Sequence, residues 1–407
     1  MNTAEPAGEL TLEPRAEEAT RLMLRFAERT GLTSDRPQQR YLWTDAFAVC
    51  NFLGMARATG ERSYGDLALR LVDRVHATLG RHRGDDSRTG WISGLGELAG
   101  AAHPTRGGLR IGKKLPERLP EEPFDEQLEW DRDGQYLHYL TKWMHALDQV
   151  ARWTGERRFN LWARELAAAV FAGFSFRPRE GGRLRLVWKM SVDLSRALVP
   201  SMGQHDSLDG FITCAQLRAT ASALPGGDAG PNLREEIAGF ASMVEARHWA
   251  TADPLGQGGL LMDAARVAQI RDTDGAMNEE LLDGLLAAAR DSLRYASMQD
   301  ELEELASMRL AFRELGLAIG LHALEVLERE HAEPGRPGHT AHTRALLASL
   351  EPHRQLGRAI ESFWLNPEHR RAASWTTHQD INEVMLATSL LPDGCLRLAP
   401  VQAASSH

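Results

Sequence analysis

The stretches ARATGERSYGDLALRL (56–71) and ARWTGERRFNLWAREL (151–166) are nearly one sentence written twice, 95 residues apart. In each copy a Thr-Gly-Glu-Arg turn closes one apolar segment and opens another. After Gly60, apolar side chains fall at Tyr64, Leu67, Ala68, Leu71, Val72 and Val75. After Gly155 the same offsets hold Phe159, Trp162, Ala163, Leu166, Ala167 and Val170. That spacing is one stripe of an amphipathic helix with charge on its other face. Gly60 and Gly155 read as helix stops, because glycine enters the left-handed conformation cheaply. The segments before the turns differ in kind. YLWTDAFAVCNFLGMARAT (41–59) and QYLHYLTKWMHALDQVARWT (135–154) are apolar around most of their circumference, as buried helices are.

An alternation of outer, one-sided helices and inner, buried ones continues along the chain. Outer candidates are 14–30, 62–81, 158–174, 232–248, 279–296 and 341–364. Inner candidates are 41–59, 135–154, 207–223, 257–270, 304–328 and 374–391. Only GGRLRLVWKMSV (181–192) suggests strand, as a small β-hairpin or extended excursion. The reading is therefore an all-α chain: a tail at 1–13, one helical domain at 14–396 and a tail at 397–407. Connections 82–134 and 175–206 are long, and long connections in a compact domain are usually functional. Six outer/inner pairs in 407 residues resemble the (α/α)6 barrel of six-hairpin glycosidase-like proteins. An open α-solenoid also stacks helix pairs, but with shorter, regular repeats.

Composition bounds the partners. Apolar residues make up 43% and charged residues 25%, with a net charge of −9. That balance argues against nucleic acid, which would want a basic face. No apolar run reaches the roughly 18 residues of a membrane span. The acidic start, MNTAEPAGELTLEPRAEEATR, is unlike a secretory leader. Cys50, Cys214 and Cys395 are odd in number and far apart, and read as buried thiols. The expectation is a soluble, cytoplasmic protein.

In a toroid the inner helices run the same way, so their N-terminal ends share a rim, and the resemblance implies an active site there. Counting back from Gly60 and Gly155 sets Trp43 opposite His138. The same count from Gly226 reaches Asp209, and from Gly394 reaches Thr377 and His378. The densest polar cluster is FDEQLEWDRDGQYLHYLTKWMHAL (124–147). It offers Asp131 and Asp133 as candidate acids, His138 as an acid or base, and Trp130, Gln135 and Tyr136 as ligand contacts. One of its aspartates can simply cap the helix. The second cluster, PSMGQHDSLDGFITCAQL (200–217), brings His205, Asp206 and Asp209, again with a cap among them. The third, SWTTHQDINEVMLA (374–387), brings Trp375, His378 and Asp380. Trp43, Asp45 and Trp188 complete the candidate contacts. The basic connection 104–122, with Arg106, Arg110, Lys113, Lys114 and Arg118, is either a solvated loop or a lid that holds an anionic sugar.

No cofactor or metal is expected. Neither a Walker sequence nor a GxGxxG follows a strand. Counted from Asp131, the twelfth position of a calcium loop is Lys142, where a carboxylate is needed. His138 and His145 stand about 10 Å apart along one helix, too far to share an ion, and no HExxH or CxxC supports zinc. Three function classes remain. A glycoside hydrolase would use paired carboxylates, drawn from Asp131 or Asp133 and Asp206 or Asp209. A sugar epimerase or isomerase, like the N-acylglucosamine 2-epimerase family, would use His205 and His378. The inner segment GQGGLLMDAARVAQI (256–270) lacks that family's histidine and glutamate. A non-catalytic barrel would bind a ligand or partner, with its rim acids spent on caps and salt bridges. The oligomeric state is not legible.

Overall fold

The computed structural model describes residues 14–178, 181–244, 249–271, 277–295, 304–332 and 338–402. The tail 1–13, the ends 245–248 and 296 of two outer candidates, and residues 403–407 lie outside the described residues. In chain order the helices are α1 (Pro14–Arg29), α2 (Leu42–Thr59), α3 (Arg62–Leu79), α4 (Glu97–Ala102), α5 (Glu126–Asp131), α6 (Leu137–Thr154), α7 (Arg157–Phe174) and α8 (Asp206–Ala223). There follow α9 (Arg234–Met243), α10 (Pro254–Ile270), α11 (Glu279–Tyr295), α12 (Ala311–Ala332), α13 (Ala341–Leu350), α14 (Arg354–Leu365), α15 (Ala373–Thr376), α16 (Gln379–Leu390) and α17 (Asp393–Leu396).

The repeated sentence builds the same joint twice. Gly60 and Gly155 take φ of 75° and 71°, and their N–H groups donate to the carbonyls of Ala56 and Ala151. Thr59 donates to the Met55 carbonyl and accepts from the Glu61 N–H. Thr154 does the same with Val150 and Glu156. The helix before each turn is inner and the one after it is outer. On α3 the buried stripe is Ala68, Leu71, Val72 and Val75; on α7 it is Ala163, Leu166, Ala167 and Val170.

Six inner helices form a closed ring, in which α2 packs on α6, then α8, α10, α12 and α16, and α16 returns to α2. Helices α3, α7, α9, α11 and α14 cover α2, α6, α8, α10 and α12. The sixth cover is α1, the first helix, lying on α16, the last inner one. The ring therefore closes by joining the two ends of the chain, as no open solenoid does. At the α10–α12 crossing a Cβ on Gly258 would lie 2.0 Å from the Gly316 carbonyl oxygen, so only glycine lets these backbones meet. The inner N-terminal turns meet at one end, where Tyr41 and Tyr139 share a 2.6 Å hydroxyl contact. The C-terminal turns meet at the other, where Arg152 donates to Thr220 at 2.6 Å. That second end is floored by α17 and the chain after it, since Gln149 donates to the Arg397 carbonyl and Gln402 N–H to the Arg152 carbonyl.

Four segments differ from expectation. The inner segment 304–328 is α-helical only from Ala311, and the inner segment 374–391 is broken into α15 and α16. The outer segment 341–364 is broken into α13 and α14, with Pro352 in the turn between them; proline cannot donate to a continuing helix. The excursion 181–192 is not a self-contained hairpin. Strand β3 (Arg185–Leu186) pairs with β2 (Ser175–Phe176), whereas β4 (Lys189–Met190) lies between β1 (Gln135–Tyr136) and β5 (Ala197–Val199). Lys189 explains the split. Its buried ammonium bonds Glu129 at 2.8 Å and the carbonyls of Glu129 and Arg132, which pulls β4 onto the approach to α6.

Candidate active site

At the N-terminal end of the ring the first turns of α6 and α8 bring charge and aromatic surface together. Asp209, one turn into α8, accepts from Thr141 at 2.5 Å, Lys142 at 2.8 Å and Arg266 at 2.5 Å. Arg266, on α10, also pairs with Asp263 and donates to Thr213 at 2.9 Å. Two cations and two carboxylates from three inner helices thus meet in the bore. Burial opposes charge on Asp209, but Lys142 and Arg266 override it and hold this carboxyl far below the usual carboxylate range. Asp206, the first residue of α8, has no cation in contact among the described residues. It accepts the Gly203 N–H at 3.0 Å. Burial, and then the Asp209 charge, push it up to about 7 against the pull of Gly203 and Lys142. Two carboxyls one helical turn apart are therefore shifted in opposite directions.

The wall beside them is aromatic. Trp188 stacks on His138 at 5.9 Å, with an interplanar angle of 13°, and tilts against Tyr136 at 5.2 Å. His138 meets Tyr139 edge-on at 4.7 Å, and Trp43 lies 6.4 Å from Tyr139. Trp130 is exposed and extends the wall outward, edge-on to Trp188 at 5.4 Å. Burial and the Lys142 charge push His138 down to about 4, so its imidazole is neutral at pH 7, and its Nδ1 is buried with no hydrogen-bond partner among the described residues. Beside Tyr41 a cleft of about 800 Å³ opens, edged by Arg83, Lys113, Lys114, Asp45 and Asp380.

Most of the remaining candidates are engaged in structural contacts, and Asp131 and His378 are exposed. Asp133 is fully buried, paired with Arg110 and accepting the Gly112 and Gly134 N–H groups. Asp131 is exposed at the end of α5. Gln135 stitches loops together, accepting from Leu109 N–H and donating to the carbonyls of Gly107 and Val192. Asp45 accepts from Arg40 at 3.2 Å and from Tyr41 N–H at 3.0 Å, at the start of α2. His205 is bound through Nε2 to the Trp249 carbonyl at 2.7 Å. Trp375 is core, stacked on Trp364 at 5.4 Å. His378 is exposed, 6.1 Å from Phe312, and Asp380 pairs with Arg29 at 2.6 Å. Of the basic connection, Arg106 is taken by Glu165 and Arg118 by Glu129, while Lys113 and Lys114 border the cleft.

Sequence reasoning did not single out Tyr41, Tyr139, Thr141, Lys142, Asp263 or Arg266. Lys142 carried a signal, a charge standing one turn after His138 and one turn before His145 on a buried helix. So did Asp263 and Arg266, an i,i+3 ion pair inside a buried helix where charge needs a partner.

No family model and no curated protein matches the sequence. Among solved structures the chain is similar to a GH76 alpha-mannanase of Bacteroides thetaiotaomicron, at 9% identity and a TM-score of 0.53, over 95% of this chain and 98% of that one. It is also similar to a sugar epimerase from a ruminal bacterium, at 10% identity and a TM-score of 0.43, over 84% of this chain and 85% of that one. The mannanase likeness runs nearly end to end in both chains, and with the closed ring it establishes the fold as an (α/α)6 barrel.

Proposed function

We propose that this protein is a carbohydrate-active enzyme of the glycoside-hydrolase type that cuts a glycan held in the N-terminal mouth of the barrel. The observation that carries the reading is the Asp206–Asp209 pair. Glycosidic cleavage needs a protonated carboxyl to give its proton to the leaving oxygen, and an ionised one on which positive charge or a water can lean. Paired groups pushed apart in pKa are the usual mark of such a division. Asp206, raised to about 7, is the acid. Asp209 stays ionised and stabilises the cationic transition state. Trp188, Trp43 and Tyr139 supply rigid apolar faces suited to sugar rings. Lys113 and Lys114 at the cleft favour a glycan that carries carboxylate or phosphate groups. The mannanase of the same fold supports the substrate class.

One observation favours a second reading. His138 is a neutral imidazole in the mouth with an unpartnered nitrogen, which suits proton transfer next to a carbonyl in a sugar isomerase. Incubation with neutral and uronic oligosaccharides, assayed for new reducing ends, tests the hydrolase. Loss of cleavage in Asp206→Asn supports it. Interconversion of monosaccharides that survives Asp206→Asn and is lost in His138→Gln would replace it with the isomerase. A barrel that binds these sugars and converts none would reduce it to a binding protein.

A further inference from the structure

Below the mouth, at the floor of the bore, three soft donors from distant parts of the sequence come together. Cys50 stands on α2, His145 on α6 and Cys395 on α17; all three are buried, and their ligand atoms lie within 4.8 Å of one another. Four-coordinate zinc, with Zn–S bonds of about 2.3 Å, sets its sulfurs about 3.8 Å apart, so bringing the sulfurs to that spacing asks for at most about 1 Å of side-chain movement. A cavity of about 20 Å³ adjoins the three residues, bordered by Phe47, Lys142, Met262, Asp263 and Arg266. A single water needs about 10–15 Å³.

From this geometry we infer a zinc site formed by Cys50, His145 and Cys395, with its fourth position turned into the bore and filled by water or a ligand. Two thiolates and an imidazole form a donor set that suits zinc over calcium or magnesium, which take oxygen. Three protein ligands and one exchangeable position are the arrangement of an accessible zinc centre, as opposed to a closed structural one.

The surroundings of His145 are compatible with this role. Its Nδ1 lies 3.3 Å from Gln216 Oε1 and 3.1 Å from Gln216 Nε2, and Gln216 Nε2 donates to Asp148 at 2.8 Å. Gln216 can thus accept the Nδ1 proton and leave Nε2 with a lone pair, the outer-shell support that metal-bound histidines use. Nε2 lies 2.9 Å from the Cys395 carbonyl, but Gln149 also donates to that oxygen, at 3.3 Å, so the carbonyl keeps a partner when the imidazole turns to an ion. The two cations at the cavity do not repel zinc outright, since Lys142 is paired with Asp209, and Arg266 with Asp209 and Asp263. With both thiols ionised the centre is neutral.

The test is a titration of the reduced, metal-free full chain with Co2+, followed by displacement with Zn2+. The expected result is stoichiometric uptake, with a near-ultraviolet thiolate-to-cobalt band and the intense visible bands of tetrahedral cobalt. The thiolate band should fall by at least half in Cys50→Ser and in Cys395→Ser, and persist in Cys214→Ser, whose thiol is buried elsewhere. Circular dichroism checks that each variant is folded. Zinc X-ray absorption on the wild type needs no variant, and should show two sulfurs and at least one light ligand. No thiolate band in the wild type overturns the inference, as does a band unchanged in Cys395→Ser or lost in Cys214→Ser. A resting Cys50–Cys395 disulfide, seen as a mass lower by two hydrogens, would also overturn it.

Discussion

The two copies of the repeated sentence share a scaffold and differ in what they turn toward the bore. Both have an 18-residue inner helix, a left-handed glycine and a threonine that bridges the turn. At matched positions before Gly60 and Gly155, Trp43 stands where His138 does, Phe47 where Lys142 does, and Cys50 where His145 does. The first copy is apolar down to its thiol; the second is polar at all three levels. The lesson is that the repeat fixes depth and direction, and single substitutions on that frame assign chemistry to each level.

Removing the charge that the second copy carries at the Phe47 level should have the largest effect. Lys142→Met removes a cation that holds Asp209 ionised, and glycan cleavage should drop by about 100-fold or more in kcat/KM. Phe47→Leu, at the matched level, should change it by less than about threefold, since only apolar contact is altered. Comparable losses in the two variants would break the contrast.

The frame itself should respond alike in both copies. Gly60→Ala and Gly155→Ala each force a Cβ into the left-handed region, costing about 1–2 kcal/mol, measurable by urea unfolding. Space is not the issue at Gly60, where an added Cβ meets nothing within 4 Å. Costs that differ between the sites by more than the whole effect would mean the joints are not equivalent.

A smaller effect sharpens the reading of the mouth. Asp206 is raised to about 7 in the folded protein, against about 3.9 in an unfolded chain. Between these values the folded state holds a proton that the unfolded state has lost, so this group's contribution to stability falls as pH rises from about 4 to 7. Asp45, raised to about 6 by burial, acts in the same direction. Asp206→Asn keeps an acceptor for the Gly203 N–H without the buried charge, so it should raise the melting temperature at pH 8 by a few degrees and change it little at pH 4. A lower melting temperature at pH 8 would show that the Asp206 charge is stabilising.

How much of this the sequence disclosed follows the range of the forces involved. The inner helices were legible because all-round apolarity and a glycine stop are local, and the outer ones because a stripe is periodic. The closure of α1 onto α16 was legible only as a resemblance. Which acids are spent was not legible. Asp133 reads as a catalytic candidate and Asp380 as a substrate contact until the fold brings Arg110 and Arg29 to them. Trp375 reads as a rim aromatic until Trp364 stacks on it. Cys50 and His145 did carry a signal, each standing ten residues before its turn glycine and so at one depth; Cys395, on the floor helix, joins them only through the tertiary fold.

The most direct test of the account is the pH profile of kcat/KM for glycan cleavage in the wild type and in Asp206→Asn. The account predicts a wild-type rate that is high while Asp206 holds its proton and declines as pH rises through about 7, with the variant at least 100-fold slower at pH 6 and lacking that limb. A wild-type profile flat from pH 5 to 9, or a variant that keeps both the rate and the limb, would contradict it.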